Sequence, residues 1–158
     1  MKVIENTIIK PLPSKELIEQ KEKYWHQTLP EDYKKFLMNN NGAEPIKAYF
    51  ACKGLEYGVE RFLCVLDKRN LNSENKIYEI NVVEGEIFDR LTDNEDLIGV
   101  EILPIADLGN DFLCLDFRRN PDAPTVCIWD EEESGELEPV TYEVAKSFTE
   151  FCNMLYEG

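Results

Sequence analysis

Between Glu101 and Asp130 the chain alternates short apolar runs with turn residues, in the segment EILPIADLGNDFLCLDFRRNPDAPTVCIWD. Glu101–Leu108 is rich in Ile and Leu, Gly109-Asn110-Asp111 is a turn, and Phe112–Phe117 is an almost unbroken apolar run. A polar loop, Arg118–Pro124, leads into a third run, Thr125–Asp130. Apolar runs bounded by Gly, Asn, Asp and Pro predict strands. The short connections favour antiparallel neighbours, because a parallel crossover needs about a dozen residues or more. This meander is the expected core sheet.

Upstream the period changes. Ser14 can cap a helix over Ser14–Gln27, with Glu16 in its first turn and Leu17, Ile18, Tyr24 and Trp25 at helical spacing. Pro30 suits the start of a second helix, whose stripe is Tyr33, Phe36 and Leu37 and whose end is Asn39-Asn40-Asn41-Gly42. Ile46–Cys52 and Arg61–Leu66 read as strands joined by the loop Lys53–Glu60, and Asp67–Glu74 reads as polar loop. Asn75–Leu91 fits two patterns. Ile77, Ile80, Val83, Ile87 and Leu91 suit a helix, whereas Val82, Val83 and Gly85 suit a strand and turn. We read it as a hairpin of Lys76–Val83 and Glu86–Leu91 around Glu84-Gly85, followed by an acidic loop, Thr92–Gly99. After Asp130 an acidic loop runs to Glu138, Thr141 can cap a last helix, and Val144, Phe148, Phe151, Cys152 and Leu155 form its face. The expected fold is α+β: two N-terminal helices, a mainly antiparallel twisted sheet of about five or six strands, and a C-terminal helix packed on the sheet. At 158 residues the chain suits one domain over 1–158, with its core in about 14–155.

Charge changes the picture more than composition does. The formal net charge is −15, from 32 acidic and 17 basic residues. Such a surface repels phosphate backbones, so no nucleic-acid ligand is expected. It serves solubility, and it also complements a basic partner, speeding encounter more than it adds affinity. No apolar run nears the roughly 20 residues of a membrane span, and MKVIENTIIKP lacks the apolar stretch of a signal peptide, so no membrane association is expected. Cys52, Cys64, Cys114, Cys127 and Cys152 form no CxxC motif, and read as buried free thiols in a cytoplasmic protein.

The search for chemistry returns little. His26 is the only histidine, so triads, Cys–His pairs and multi-histidine metal sites rest on one residue near a helix end. No GxxxxGK[ST] or GxGxxG loop occurs. Asp107, Asp111 and Asp116 flank the central turn and strand, where turn chemistry accounts for them. Asp130, Glu132, Ser134 and Gly135 match the first half of a calcium-binding loop, but Thr141 stands where its closing Glu belongs. No catalytic residue, cofactor or metal site is assigned. The partner-binding candidates are Glu131, Glu132, Glu133 and Glu136, with Trp129 read chiefly as core and alternatively as an interface anchor.

The ordered set of motifs resembles the SUKH superfamily, which takes in fungal cell-wall-assembly regulators and many bacterial immunity proteins. The set is Leu29-Pro30-Glu31-Asp32-Tyr33-Lys34-Lys35-Phe36-Leu37, then Asn41-Gly42, an Ile102-Leu103-Pro104-Ile105 strand, a Gly-containing turn, the LCLDF strand, and a strand ending in Trp129-Asp130. It spans Ser14 to Leu155. The resemblance implies an α+β domain and, in bacteria, often an antitoxin that binds a secreted toxin domain. The expected function is therefore non-enzymatic: an immunity protein that neutralises a cognate toxin, such as a basic nuclease, by direct binding. The alternatives are a regulatory scaffold bound to a cellular partner and, ranked lowest, a small carboxylate-dependent hydrolase.

Overall fold

The computed structural model describes residues 1–70, 73–91, 101–135 and 138–158; side chains at 86–91, 131–135 and 138–139 lie outside the description. Helix α1 (Lys15–Trp25) starts where Ser14 Oγ accepts the Leu17 N–H at 3.1 Å, and it stops at His26, whose φ of 58° is left-handed. Helix α2 (Glu31–Asn40) follows Pro30 and buries Tyr33, Phe36 and Leu37. α2 follows the pattern of apolar positions; in α1 Ile18 and Trp25 are buried and Leu17 is half-buried, but Tyr24, expected on the same face, is 66% exposed.

Asn41 then ends α2 inside the protein, fully buried. Its Nδ2 donates to the carbonyls of Ile9 at 3.2 Å and Val65 at 3.1 Å, and its Oδ1 accepts the Val65 N–H at 2.8 Å. Gly42 follows with φ of 67°, where a Cβ would lie 2.5 Å from Ile9 Cδ1 and 2.9 Å from Cys64 Cβ. Only glycine fits that turn.

The next strands are shorter than expected. Ile46–Cys52 contributes only β1 (Tyr49–Cys52), and the expected loop Lys53–Glu60 contains β2 (Leu55–Gly58), its antiparallel partner. Of Arg61–Leu66, only β3 (Arg61–Phe62) is a strand. Leu63, Cys64, Val65 and Leu66 are buried without forming one, because Asn41 and the carbonyl of Tyr78 take backbone groups there.

Asn75–Leu91 is not a hairpin. A 3-10 turn (Glu74–Tyr78) leads into helix α3 (Ile80–Leu91). Glu79 Oε2 accepts the N–H groups of Asn81 at 2.7 Å and Val82 at 3.2 Å, which caps the helix start. Ile80 and Val83 are buried at helical spacing, and packing overrides Gly85, worth about 1 kcal/mol against an isolated helix.

The meander forms as read: β4 (Ile102–Asp107), β5 (Phe112–Asp116) and β6 (Thr125–Gly135) are consecutive antiparallel neighbours. The ladder slips between Pro104 and Ala106, where proline has no N–H to donate. The acidic loop expected after Asp130 is instead the continuation of β6 as far as Gly135. Thr141 does not cap a helix either. It lies in β7 (Glu138–Ala145), rich in residues that suit a pleated surface, and Ser147 caps a shorter α4 (Phe148–Met154) by accepting the Glu150 N–H at 3.0 Å. Among the described residues there are two antiparallel sheets, β1-β2 and β3-β4-β5-β6-β7.

The large sheet has two unlike faces. Leu103, Ile105, Leu113, Leu115, Val126 and Ile128 join the main core with the helices and the β1-β2 hairpin. Aromatic edges lock it: Phe50 to Phe151 at 5.2 Å, Tyr33 to Phe148 at 5.1 Å. The second face carries a smaller cluster of Ile102, Cys114, Cys127 and Trp129, with Phe112 against it.

Two stability measurements test this packing. Phe151→Ala empties a fully buried site and should cost about 3–5 kcal/mol in urea unfolding. A melting temperature within a degree of wild type would show that the ring is not packed. Asn41→Ala strands the Val65 N–H and two carbonyls, and should cost on the order of 3 kcal/mol or more. A cost near that of an exposed Asn would remove it as a tie.

Candidate functional site

The β6-β7 hairpin is longer than the sheet that carries it. β5 opposes β6 from Thr125 to Trp129, where the last pair is Phe112 with Trp129. Beyond it β6 is paired only with β7, through Asp130 with Val140 and Gly135 with Glu138. The overhang, Asp130–Gly135, is about 20 Å of chain at strand rise. Asp130, Glu131, Glu132 and Glu133 lie on its β6 strand, and no Lys or Arg stands between Arg119 and Lys146. The side chains of Glu131, Glu132 and Glu133 lie outside the description, as does Glu136 altogether. At the foot of the hairpin, the Tyr57 hydroxyl has a raised pKa. Lost hydration is the larger cause, and the fields of Cys52, Asp111 and Asp130 add to it.

Trp129 does not belong to this surface. It is 2% exposed and packs with Ile102, Cys114 and Cys127, and its Nε1–H has no hydrogen-bond partner among the described residues. The anchor reading is corrected accordingly: the ring is core, because the pleat turns it onto the second face of the sheet beside Cys127.

The polar end of that same face is a groove of about 580 Å³, lined by Asp116, Arg118 and Arg119 with Thr125, Cys127, Thr141 and Glu143. The register explains the lining. Asp116 pairs with Thr125, Cys127 with Glu143, and Trp129 with Thr141, so these side chains share one face. Arg118 grips Asp116 by two bonds, Nε to Oδ1 at 2.9 Å and Nη2 to Oδ2 at 2.8 Å, and Nη2 also donates to Thr141 Oγ1 at 2.6 Å. Burial pushes the Asp116 carboxyl up, but the Arg118 hydrogen bonds and charge outweigh it and leave the pKa lowered. Burial raises the thiol pKa of Cys127, so its nucleophilic form is suppressed.

A second polar cluster is buried between α1 and α3. Lys21 Nζ lies 3.5 Å from Glu79 Oε1, an ion pair without hydrogen-bond geometry. Glu84 is 7% exposed beside them, and burial, with the field of Glu79, pushes its carboxyl up to about 7 against the opposing pull of Lys21. Trp25 Nε1 donates to Asn81 Oδ1 at the same junction. Two carboxyl groups with such different surroundings resemble an acid–base pair. Here they are closed in by the helices, with Glu79 committed to the start of α3 and to Lys21.

Sequence reading missed both clusters. Asp116 was noticed, but as turn chemistry, which holds for Asp107, whose Oδ1 accepts the Gly109 N–H at 2.8 Å. Asp116 also accepts the Arg118 N–H, and the sequence gives no signal that Arg118 folds back across it. Glu79 and Glu84 carried one signal, the helical spacing of Ile80 and Val83 around them. The partial calcium-loop match falls on two paired strands, and no group of three or more His, Cys, Asp or Glu gathers among the described residues. No helix among them is long and apolar enough to cross a membrane.

Comparison with known proteins places these features in a family. The family model described as SMI1-KNR4 cell-wall matches residues 15–152. A crystal structure of a protein from Pseudomonas syringae pv. tomato superposes with a TM-score of 0.53 at 17% identity, over 96% of this chain and 92% of that one. That likeness is one of fold. No curated protein matches the chain.

The Glu84 site predicts a pH dependence with a definite sign. Its folded pKa, about 7, lies above the ordinary value of 4.5, so the folded state holds the proton more tightly. The stabilisation is full below pH 4.5 and is lost as pH rises through 7, by up to about 3 kcal/mol. Glu84→Gln should flatten that decline. Equal slopes in both would mean that Glu84 ionises as freely as an exposed carboxyl.

Proposed function

The chain belongs to the SMI1-KNR4 cell-wall family of the SUKH superfamily, and from that premise we propose that it is a non-enzymatic immunity protein. It neutralises a cognate toxin domain by direct binding in the cytoplasm, with no cofactor and no nucleic-acid or membrane ligand. Family membership over residues 15–152 is the observation that carries the reading. The resemblance of this superfamily to bacterial antitoxins supplies the partner class, and the bacterial source of a structure with the same fold is consistent with it.

The acidic overhang of β6 supports a basic partner. Asp130, Glu131, Glu132 and Glu133 follow one another on the part of β6 that extends past β5, and the long-range field of such an acidic run steers a cationic domain before contact. The overhang gives the ribbon reach, and its two ends are tied to β7 by the Asp130–Val140 and Gly135–Glu138 pairs. The second reading is a regulatory scaffold bound to a cellular protein, which the family's cell-wall description favours.

Co-expression with toxin domains encoded beside this gene separates the two. Rescue of growth from one such domain, with a stable complex on size-exclusion chromatography, is expected of an immunity protein. Failure with all of them, together with recovery of a stoichiometric host complex, favours the scaffold. On a rescued toxin, reversing Glu131, Glu132 and Glu133 to Lys should slow association most at low salt and leave the melting temperature unchanged. The effect should fade as the Debye length shortens towards roughly 8 Å at physiological ionic strength. An association rate indifferent to both charge and salt would take the ribbon out of the interface.

A further inference from the structure

The groove on the second face of the sheet plays no part in that reading. It is an open, mainly polar groove of about 580 Å³. The floor is rigid: Arg118 is fixed by two bonds to Asp116 and one to Thr141, and this ion pair is neutral within itself. Fixed hydrogen-bonding groups lose little freedom when a ligand arrives.

Two charges of the lining remain uncommitted. Arg119 lies close enough to lower the Asp116 pKa, yet it donates no hydrogen bond and closes no ion pair to a described residue. Glu143, on the neighbouring strand opposite Cys127, likewise forms no ion pair with one. Both side chains belong to exposed residues, so neither charge is spent on the fold. A planar donor fork from the loop after β5 and a carboxylate from β7 therefore line one polar groove, together with the Thr125 and Thr141 hydroxyls. A simple anion would be opposed by Glu143 and by the net charge of −15, and a simple cation by Arg119.

We propose that this groove binds a ligand carrying neighbouring opposite charges, with its carboxylate on Arg119 and its ammonium on Glu143, as a free dipeptide does. The same chemistry is offered by adjacent Glu and Lys side chains of a protein partner. The site is independent of the acidic ribbon and of the toxin reading.

The test uses the whole protein and four probes: alanyl-alanine, its N-acetyl form, its C-terminal amide, and a doubly capped Ala-Glu-Lys-Ala peptide. Binding is followed by NMR at the Arg119 side-chain N–H and the Cys127 and Thr141 amides. Alanyl-alanine should give saturable shifts, and either block should weaken it about two- to five-fold, the range of exposed ion pairs. Arg119→Gln should bind alanyl-alanine no better than its amide, and Glu143→Gln no better than its acetyl form, with melting temperatures unchanged. Saturable binding of the capped peptide alone, with the same dependence on Arg119 and Glu143, assigns the charges to a protein partner and keeps the site. No saturable binding of any probe, or binding indifferent to the blocks or to both substitutions, overturns it.

Discussion

The structure depends on one buried amide. Asn41 satisfies three backbone groups from two segments far apart in sequence, the N-terminal arm at Ile9 and the post-β3 stretch at Val65, while ending α2. A polar group taken from water costs free energy unless its partners are supplied, so a fully satisfied buried Asn specifies one arrangement. Gly42 then turns the chain through a left-handed conformation in a space closed by Ile9 and Cys64. Arg61 adds a second tie by donating to the carbonyls of Gly42 and Thr7. This junction explains why the strand stops after Phe62: Leu63 still donates to Ile105 of β4, but the backbone groups of Cys64 and Val65 are taken by the residues around the start of α3 and by Asn41.

From that junction the layers follow. α2 lays Tyr33, Phe36 and Leu37 on the sheet, and α4 adds Phe148 and Phe151 beside them. The helices and the β1-β2 hairpin all join the main core, on the face that carries Leu103, Leu113 and Val126. The second face can then hold polar and charged side chains at one end, which is why the groove forms there and not within the main core. The same division sends Trp129 inward and leaves the end of β6 without a β5 neighbour.

Charge is distributed to match. The basic side chains with structural roles are paired: Lys21 with Glu79, Lys34 with Glu22, Arg61 with backbone carbonyls, Arg118 with Asp116. Local pairs of this kind leave most of the net charge of −15 to the surface. Self-repulsion among surface carboxylates costs stability, and the acidic run Asp130–Glu133 falls on the part of β6 that no β5 residue opposes. The Glu84 carboxyl avoids that cost differently, by keeping its proton near neutral pH.

What the sequence determined by itself was local. Turn and loop residues at Gly109–Asp111 and Arg118–Pro124 delimited β4, β5 and β6, Ser14 and Pro30 marked the starts of α1 and α2, and the order of these pieces indicated the family. Each of those signals is written in residues within a turn or two of one another. What only the tertiary structure decided was non-local. Whether Thr141–Ala145 is strand or helix depends on β6 lying alongside, since a strand has no hydrogen bonds of its own. Asn75–Leu91 carried both periods, and burial of Ile80 and Val83 against the core, with Glu79 as cap, chose the helix. The groove is assembled from three strands and a loop, and the Glu79–Glu84–Lys21 cluster from two helices. Side chains that meet only because distant segments pack leave no periodic trace along the chain, so their chemistry became readable once the sheet had brought them face to face.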